Sequence, residues 1–218
     1  MSVHNFLREF IEGSLFNDLE TMQHAKPLDP TAQWGHLAYP IVMTCSAGIE
    51  VLGVLTSEED PSRSKANFCH YWRTYLYPDP GPKREAAEAV YVLARCGITH
   101  SFAAKLPSVE KGTGRHLIHQ NGVLIIDCLQ LAEDFKRSYR DHIQPIALGT
   151  FAGTVTAETM NKQLKRLIVI GLKQIGEHQE AIERLDVVIT DGRDAALEVP
   201  VTESLARAST DFPTKPSK

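Results

Sequence analysis

The chain has 218 residues, enough for one substantial core, and 43% of them are hydrophobic, as in ordinary globular domains. A net charge of −4 argues against a strongly basic, general nucleic-acid binder, although it leaves room for a local cationic cleft. Its four cysteines, Cys45, Cys69, Cys96 and Cys128, form no CxxC pair and sit in apolar patterns, which predicts reduced, buried thiols in a cytoplasmic protein.

From the N-terminus, Val3, Phe6, Leu7, Phe10, Ile11, Leu15, Leu19 and Met22 recur at helical spacing, so Val3 to Gln23 reads as one amphipathic helix or two broken at Gly13. The start lacks the basic region and apolar core of a signal peptide. A second helix fits Ile41 to Thr56, with Gly48 and Gly53 allowing a neighbouring helix to approach closely. Its most apolar run, Ile41 to Leu55, is short and contains Glu50, so no membrane span is expected. Asp60-Pro61-Ser62 opens a third helix, with Asp60 as its cap, and Pro78 to Pro82 closes it. A fourth runs from Lys83 to Arg95, with Pro82 where a first turn tolerates proline and apolar residues on most sides. Beyond it, two short apolar runs flank Asn121-Gly122, the preferred pair for a type I′ turn, and predict a β-hairpin near 115–127. Lys111-Gly112-Thr113-Gly114 lacks the setting of a phosphate loop and reads as a flexible connection. Asp127 then opens a helix ending near Ile143, before Pro145, and a last helix covers roughly 157–186. Residues 1–190 thus form a helical domain. Residues 191–218, rich in Thr, Ser, Asp and Pro, are expected to form a tail without fixed structure.

Chemistry is concentrated at Arg95-Cys96-Gly97-Ile98-Thr99-His100, where a permanent cation and a titratable imidazole are separated by four residues. If Gly97 ends the helix in a left-handed cap, the chain folds back and places His100 near Arg95. If the helix runs on, five residues at about 100° each put the two side chains on different faces. A surface arginine and a histidine capping the last carbonyls would leave the same trace in the sequence.

This pair, following an alanine-rich helix and a preceding helical run, resembles the Arg-x4-6-His signature of the HEPN family. The text LARCGITHSFAAK is similar to bacterial relatives of that family in which a helix ends in an Arg-x-Gly-x-x-His turn. The resemblance spans roughly residues 40–145. It implies a mainly α fold, a helical bundle with the small β-hairpin inserted after the fourth helix, that forms a homodimer with the Arg and His of both subunits in one cleft. It further implies a metal-independent endoribonuclease of toxin or defence type, with Arg95 and His100 as the catalytic pair and no cofactor. The family more often carries a polar residue after the arginine, where this chain has Cys96. That departure fits a second reading, a non-catalytic helical module that binds a nucleotide, RNA or a protein through the same cleft.

Other residues take supporting roles in this reading. Glu50, set in an apolar helix, would be costly to bury without a cation, and Arg95 is the expected partner; an exposed stripe between Ala47 and Val54 would also accommodate it. Cys96, flanked by Arg95 and His100, has the setting of either an activated or a structural thiol. Lys105 and Arg115, with Lys111, Lys136, Arg137 and Arg140, are candidate phosphate contacts if the hairpin packs beside His100. His116 and His119 point to opposite faces of a strand and lack the companions of a metal site, so none is expected.

Overall fold

A computed structural model describes residues 1–26, 37–96, 108–151 and 153–178. The fold is mainly α, with one small sheet. Helix α1 runs continuously through Val3–Phe6, Leu7–Phe16 and Asn17–His24, its middle wound with the wider π spacing, so Gly13 does not break it. Helix α2 is Ala38–Thr56. Helix α3 joins Ser64–Tyr71 to the π-wound Trp72–Leu76. Helix α4 comprises Pro82–Glu85, Ala87–Val90 and Tyr91–Cys96, with Pro82 in its first turn as expected. Helix α5 joins Cys128–Ser138, Tyr139–Ile143 and Gln144–Ala147, and α6 is Ala157–Glu177.

Two sequence expectations are corrected by local geometry. Asp60 does not cap α3: its Oδ1 instead accepts the amide and hydroxyl of Ser62 at 2.8 and 2.6 Å, a tight side-chain turn one residue before Arg63 leads into the helix. Helix α5 does not stop ahead of Pro145, because proline lacks only a donor that the first turn of the Gln144–Ala147 segment does not need.

The apolar helix α2 is the centre of the bundle. It packs against α3, α5, α4, α1 and β1, and buries Ile41, Val42, Cys45, Ile49, Leu52 and Leu55. By length and composition it could cross a membrane, yet most of it is enclosed by the protein itself, as a core helix must be. Both glycines do what their positions suggest. A Cβ on Gly48 would lie 2.6 Å from the ring of Phe135, and one on Gly53 would lie 2.1 Å from the backbone oxygen of Asn67, so α3 approaches α2 at van der Waals contact. Around this axis the aromatics Phe68, Tyr71, Trp72, Phe135 and Tyr139 are fully buried, and their polar atoms are satisfied: the Trp72 indole donates to the Lys83 carbonyl at 2.8 Å and Tyr139 donates to Glu12 at 2.6 Å.

The hairpin forms where expected, from β2 (Ile118–Gln120) and β3 (Val123–Asp127), with Asn121 and Gly122 at φ 52° and 78° in the left-handed pair of a type I′ turn. A further strand, β1 (Ser108–Glu110), pairs parallel with β3 in register Val109 to Ile126. Asp127 links sheet to helix. Its carboxylate accepts the amides of Leu129 at 3.0 Å and Gln130, capping α5, and those of Gly112 and Gly114 at 3.1 and 2.7 Å. The expected flexible loop is therefore cradled, its two glycines held at positive φ. Burial by itself would raise the Asp127 pKa, but these donors more than offset it and hold the carboxyl below its ordinary value.

His116 is buried beside the hairpin, where Tyr77 donates to Asp134 at 2.9 Å and meets His116 Nε2 at 2.8 Å, while His119 is exposed. Burial, then the nearby Lys83, pushes the His116 pKa down to about 4. The chain divides into two compact units, Met1–Ile168 and Val169–Lys218. Of the second only the helical stretch to His178 is described, with Val169, Leu172 and Ile175 exposed; the tail expected after residue 190 lies outside the described residues.

Gly53→Ala is expected to destabilise the fold by about 3 kcal/mol, because the added methyl meets backbone that cannot rotate away; a denaturation midpoint equal to wild type would contradict the close α2–α3 contact.

Because His116 folds as the neutral form, its contribution is complete above the unfolded pKa near 6.5 and is lost as pH falls toward 4. His70, also lowered by burial, acts in the same direction. Stability should decline across that window, and a histidine NMR titration should find one imidazole neutral down to about pH 4 that is missing in His116→Phe.

Candidate functional site

Helix α4 buries one stripe, Ala87, Val90 and Ala94, while Val92 is exposed, so it is less enclosed than its composition suggested. Arg95 follows Ala94 by one residue and therefore sits at the edge of that stripe, facing the border of α2 where Glu50 lies. Arg95 Nε donates to Glu50 Oε2 at 3.0 Å, with side-chain exposures of 33% and 16%. Of the two expectations for Glu50, the pairing with Arg95 is the one observed; Val54 is buried, so no exposed stripe runs from Ala47 to Val54. The pair is shielded enough to fix the guanidinium at this end of α4.

Tyr91 and Cys96 complete this end of α4. Cys96 is half-buried, unlike Cys45, Cys69 and Cys128, which are buried as expected. Burial pushes the Tyr91 phenol above its ordinary pKa, reinforced by the adjacent Cys96 thiol and by Glu50, so it stays a protonated donor. Phe68 meets the Tyr91 ring edge-on at 5.4 Å and supports it from α3.

His100 and Lys105 lie outside the described residues, as does the cap expected at Gly97. On either side of residues 97–107, α4 ends at Cys96 and β1 begins at Ser108, paired with β3. Arg115 is placed on the hairpin side, where its Nε donates to Glu110 Oε2 at 3.0 Å and its Nη1 to Gln120 at 3.3 Å. The other cations of that region are similarly engaged: Lys136 lies 2.6 Å from Glu133 and 3.1 Å from Glu20, and Arg137 lies 3.5 Å from Asp134. Lys111 donates to the Met22 carbonyl at 3.2 Å.

A set of cations that sequence reasoning passed over lies elsewhere. Arg63, Lys65 and Arg73 on or beside α3, with Arg84 on α4, line an open groove of about 840 Å³ together with Glu88 and Tyr91. The signal was present as basic residues near both ends of α3 and at the start of α4, but only antiparallel packing of the two helices brings them onto one surface. Among the described residues, no group of three His, Cys, Asp or Glu side chains converges as metal ligands would.

No protein-family model matches the chain, and no curated protein or solved structure matches it.

If the Glu50–Arg95 pair holds this corner together, a double-mutant cycle with Glu50→Gln and Arg95→Met should give a coupling energy of about 1–3 kcal/mol. Additive effects on stability would mean that the pair is incidental.

Proposed function

We propose that this chain is a metal-independent endoribonuclease of toxin or defence type, acting as a cytoplasmic homodimer of HEPN-like helical bundles. The observation that supports it is the anchoring of Arg95 by Glu50 at the end of α4, immediately before the segment that carries His100. In this reading the RNA 2′-hydroxyl attacks the adjacent phosphorus; a 2′-O–P bond forms and the P–O5′ bond breaks. His100 accepts or returns the proton, and Arg95 stabilises the negative charge that grows on the phosphorane oxygens. Cleavage leaves a 2′,3′-cyclic phosphate and a 5′-hydroxyl, with no metal or cofactor in the balance.

The rival reading, a non-catalytic module binding RNA, a nucleotide or a protein, is favoured by two observations. Arg95 already holds a carboxylate, and the residue beside it is the half-buried thiol of Cys96.

Purified protein should cleave single-stranded RNA in excess EDTA, leaving cyclic phosphate ends. His100→Ala should abolish cleavage while leaving the thermal midpoint unchanged, and Arg95→Lys should slow it by about 10²-fold or more, because a point charge replaces a planar fork. Full activity in His100→Ala would end the enzyme reading, and an inactive wild type that still binds RNA would establish the module instead.

A further inference from the structure

We propose that the groove between α3 and α4 is a track for single-stranded RNA, binding its phosphates through Arg63, Lys65, Arg73 and Arg84 and its bases through Tyr91. The direction of the track, toward Arg95, rests on the ribonuclease reading above; the binding itself rests on the groove alone.

The charge of the groove runs against that of the chain. Four cations face one carboxylate, Glu88, in a protein of net charge −4. Glu88 is shared between Lys65 Nζ at 2.6 Å and Arg73 at 3.5 Å, so it cannot neutralise both. Arg63 pairs with Glu59 at 2.6 Å, outside the groove lining. Arg84 donates to the carbonyls of Arg73 and of Pro78, which satisfy its hydrogen bonds without cancelling its charge. The contacts of Lys65 and Arg63 are also exchangeable: their side chains are 51% and 63% exposed, and ion pairs of that kind contribute little, so a phosphate can replace the carboxylate at small cost.

Shape and chemistry favour a nucleic acid strand over an acidic peptide. Three of the four cations are arginines, whose planar fork matches phosphate. From Arg63 to Arg73 the row follows α3 for about 15 Å at about 1.5 Å per residue, roughly the length of four stacked nucleotides at about 3.4 Å each. Tyr91 supplies an aromatic ring on the α4 wall, met edge-on by Phe68 from α3. His70 also lines the groove, and its Nε2 lies buried beneath it with no hydrogen-bond partner. Tyr91 stands one helical turn before Arg95, so a strand leaving the groove past Tyr91 arrives at the anchored guanidinium.

The test uses the full chain and a fluorescently labelled RNA dodecamer with 2′-O-methyl groups throughout, which binds but has no nucleophile. Fluorescence anisotropy should show saturable binding at low salt. The double variant Arg63→Glu with Lys65→Glu, at exposed positions that the core does not need, should weaken binding by about tenfold or more and reduce the slope of log K against log salt by about 1.4, the share of two phosphates on a single strand. A control with the same change in net charge, Lys162→Glu with Lys165→Glu on the exposed side of α6, should stay within about twofold. Absence of binding by the wild type, equal losses in the two double variants, or displacement of the RNA by polyglutamate at equal charge would each overturn the track. Cleavage of unmodified RNA separates the two ideas. Wild-type cleavage unaffected by groove reversal removes the track and leaves the nuclease, whereas groove-dependent binding with no cleavage removes the nuclease and leaves the track.

Discussion

The placement of one carboxylate governs how this protein is built. Helix α2 is the axis against which the other elements pack, and Glu50 is its only acidic or basic residue. An unpaired carboxylate that is more than four-fifths buried would be costly, so α4 must pack with a cation opposite it. Arg95 meets that need from the last turn of α4, and the spacing of Ala87, Val90 and Ala94 sets the rotation of the helix that brings it there. The charge that the proposed reaction would turn toward a phosphate is thus also a structural charge. Its orientation is fixed before any ligand arrives, so little side-chain entropy remains to be lost on binding.

The distribution of the remaining charges follows from which surfaces the bundle brings together. On the hairpin and α5 side, cations meet acids supplied by neighbouring elements: Arg115 finds Glu110, and Lys136 finds Glu20 and Glu133. Between α3 and α4 the acids run short, because the facing surface of α4 offers Glu88 alone against cations from both helices. Two basic regions that look alike in a list of residues therefore differ in how far they are neutralised, and only the second keeps an excess of positive charge.

What could be read from the sequence followed from local signals. The helical periods, the two close-approach glycines of α2, the Asn121-Gly122 turn and the Asp127 cap each depend on a few neighbouring residues, and each appears in the structure. Expectations that required knowledge of a partner fared less evenly. Glu50 and Arg95, 45 positions apart, could be paired because burial of a carboxylate demands a cation. Strand β1 could not be found, since three residues carry no period and its partner β3 is the far strand of the hairpin. The loop at Gly112 and Gly114 looked unconstrained because its restraint is a side chain many positions later, and the groove cations looked like solvated surface because nothing local shows that α3 and α4 lie side by side.

The segment between Cys96 and Ser108 owes its relevance to what stands at either end. On one side Glu50 fixes Arg95; on the other, β1 pairs with β3, and the carboxylate of Asp127 ties the following loop to the start of α5. In the proposed reaction the two tasks fall to different residues: Arg95, held by Glu50, would carry the charge that grows on the phosphate, and His100 would accept a proton at one step and release it at another.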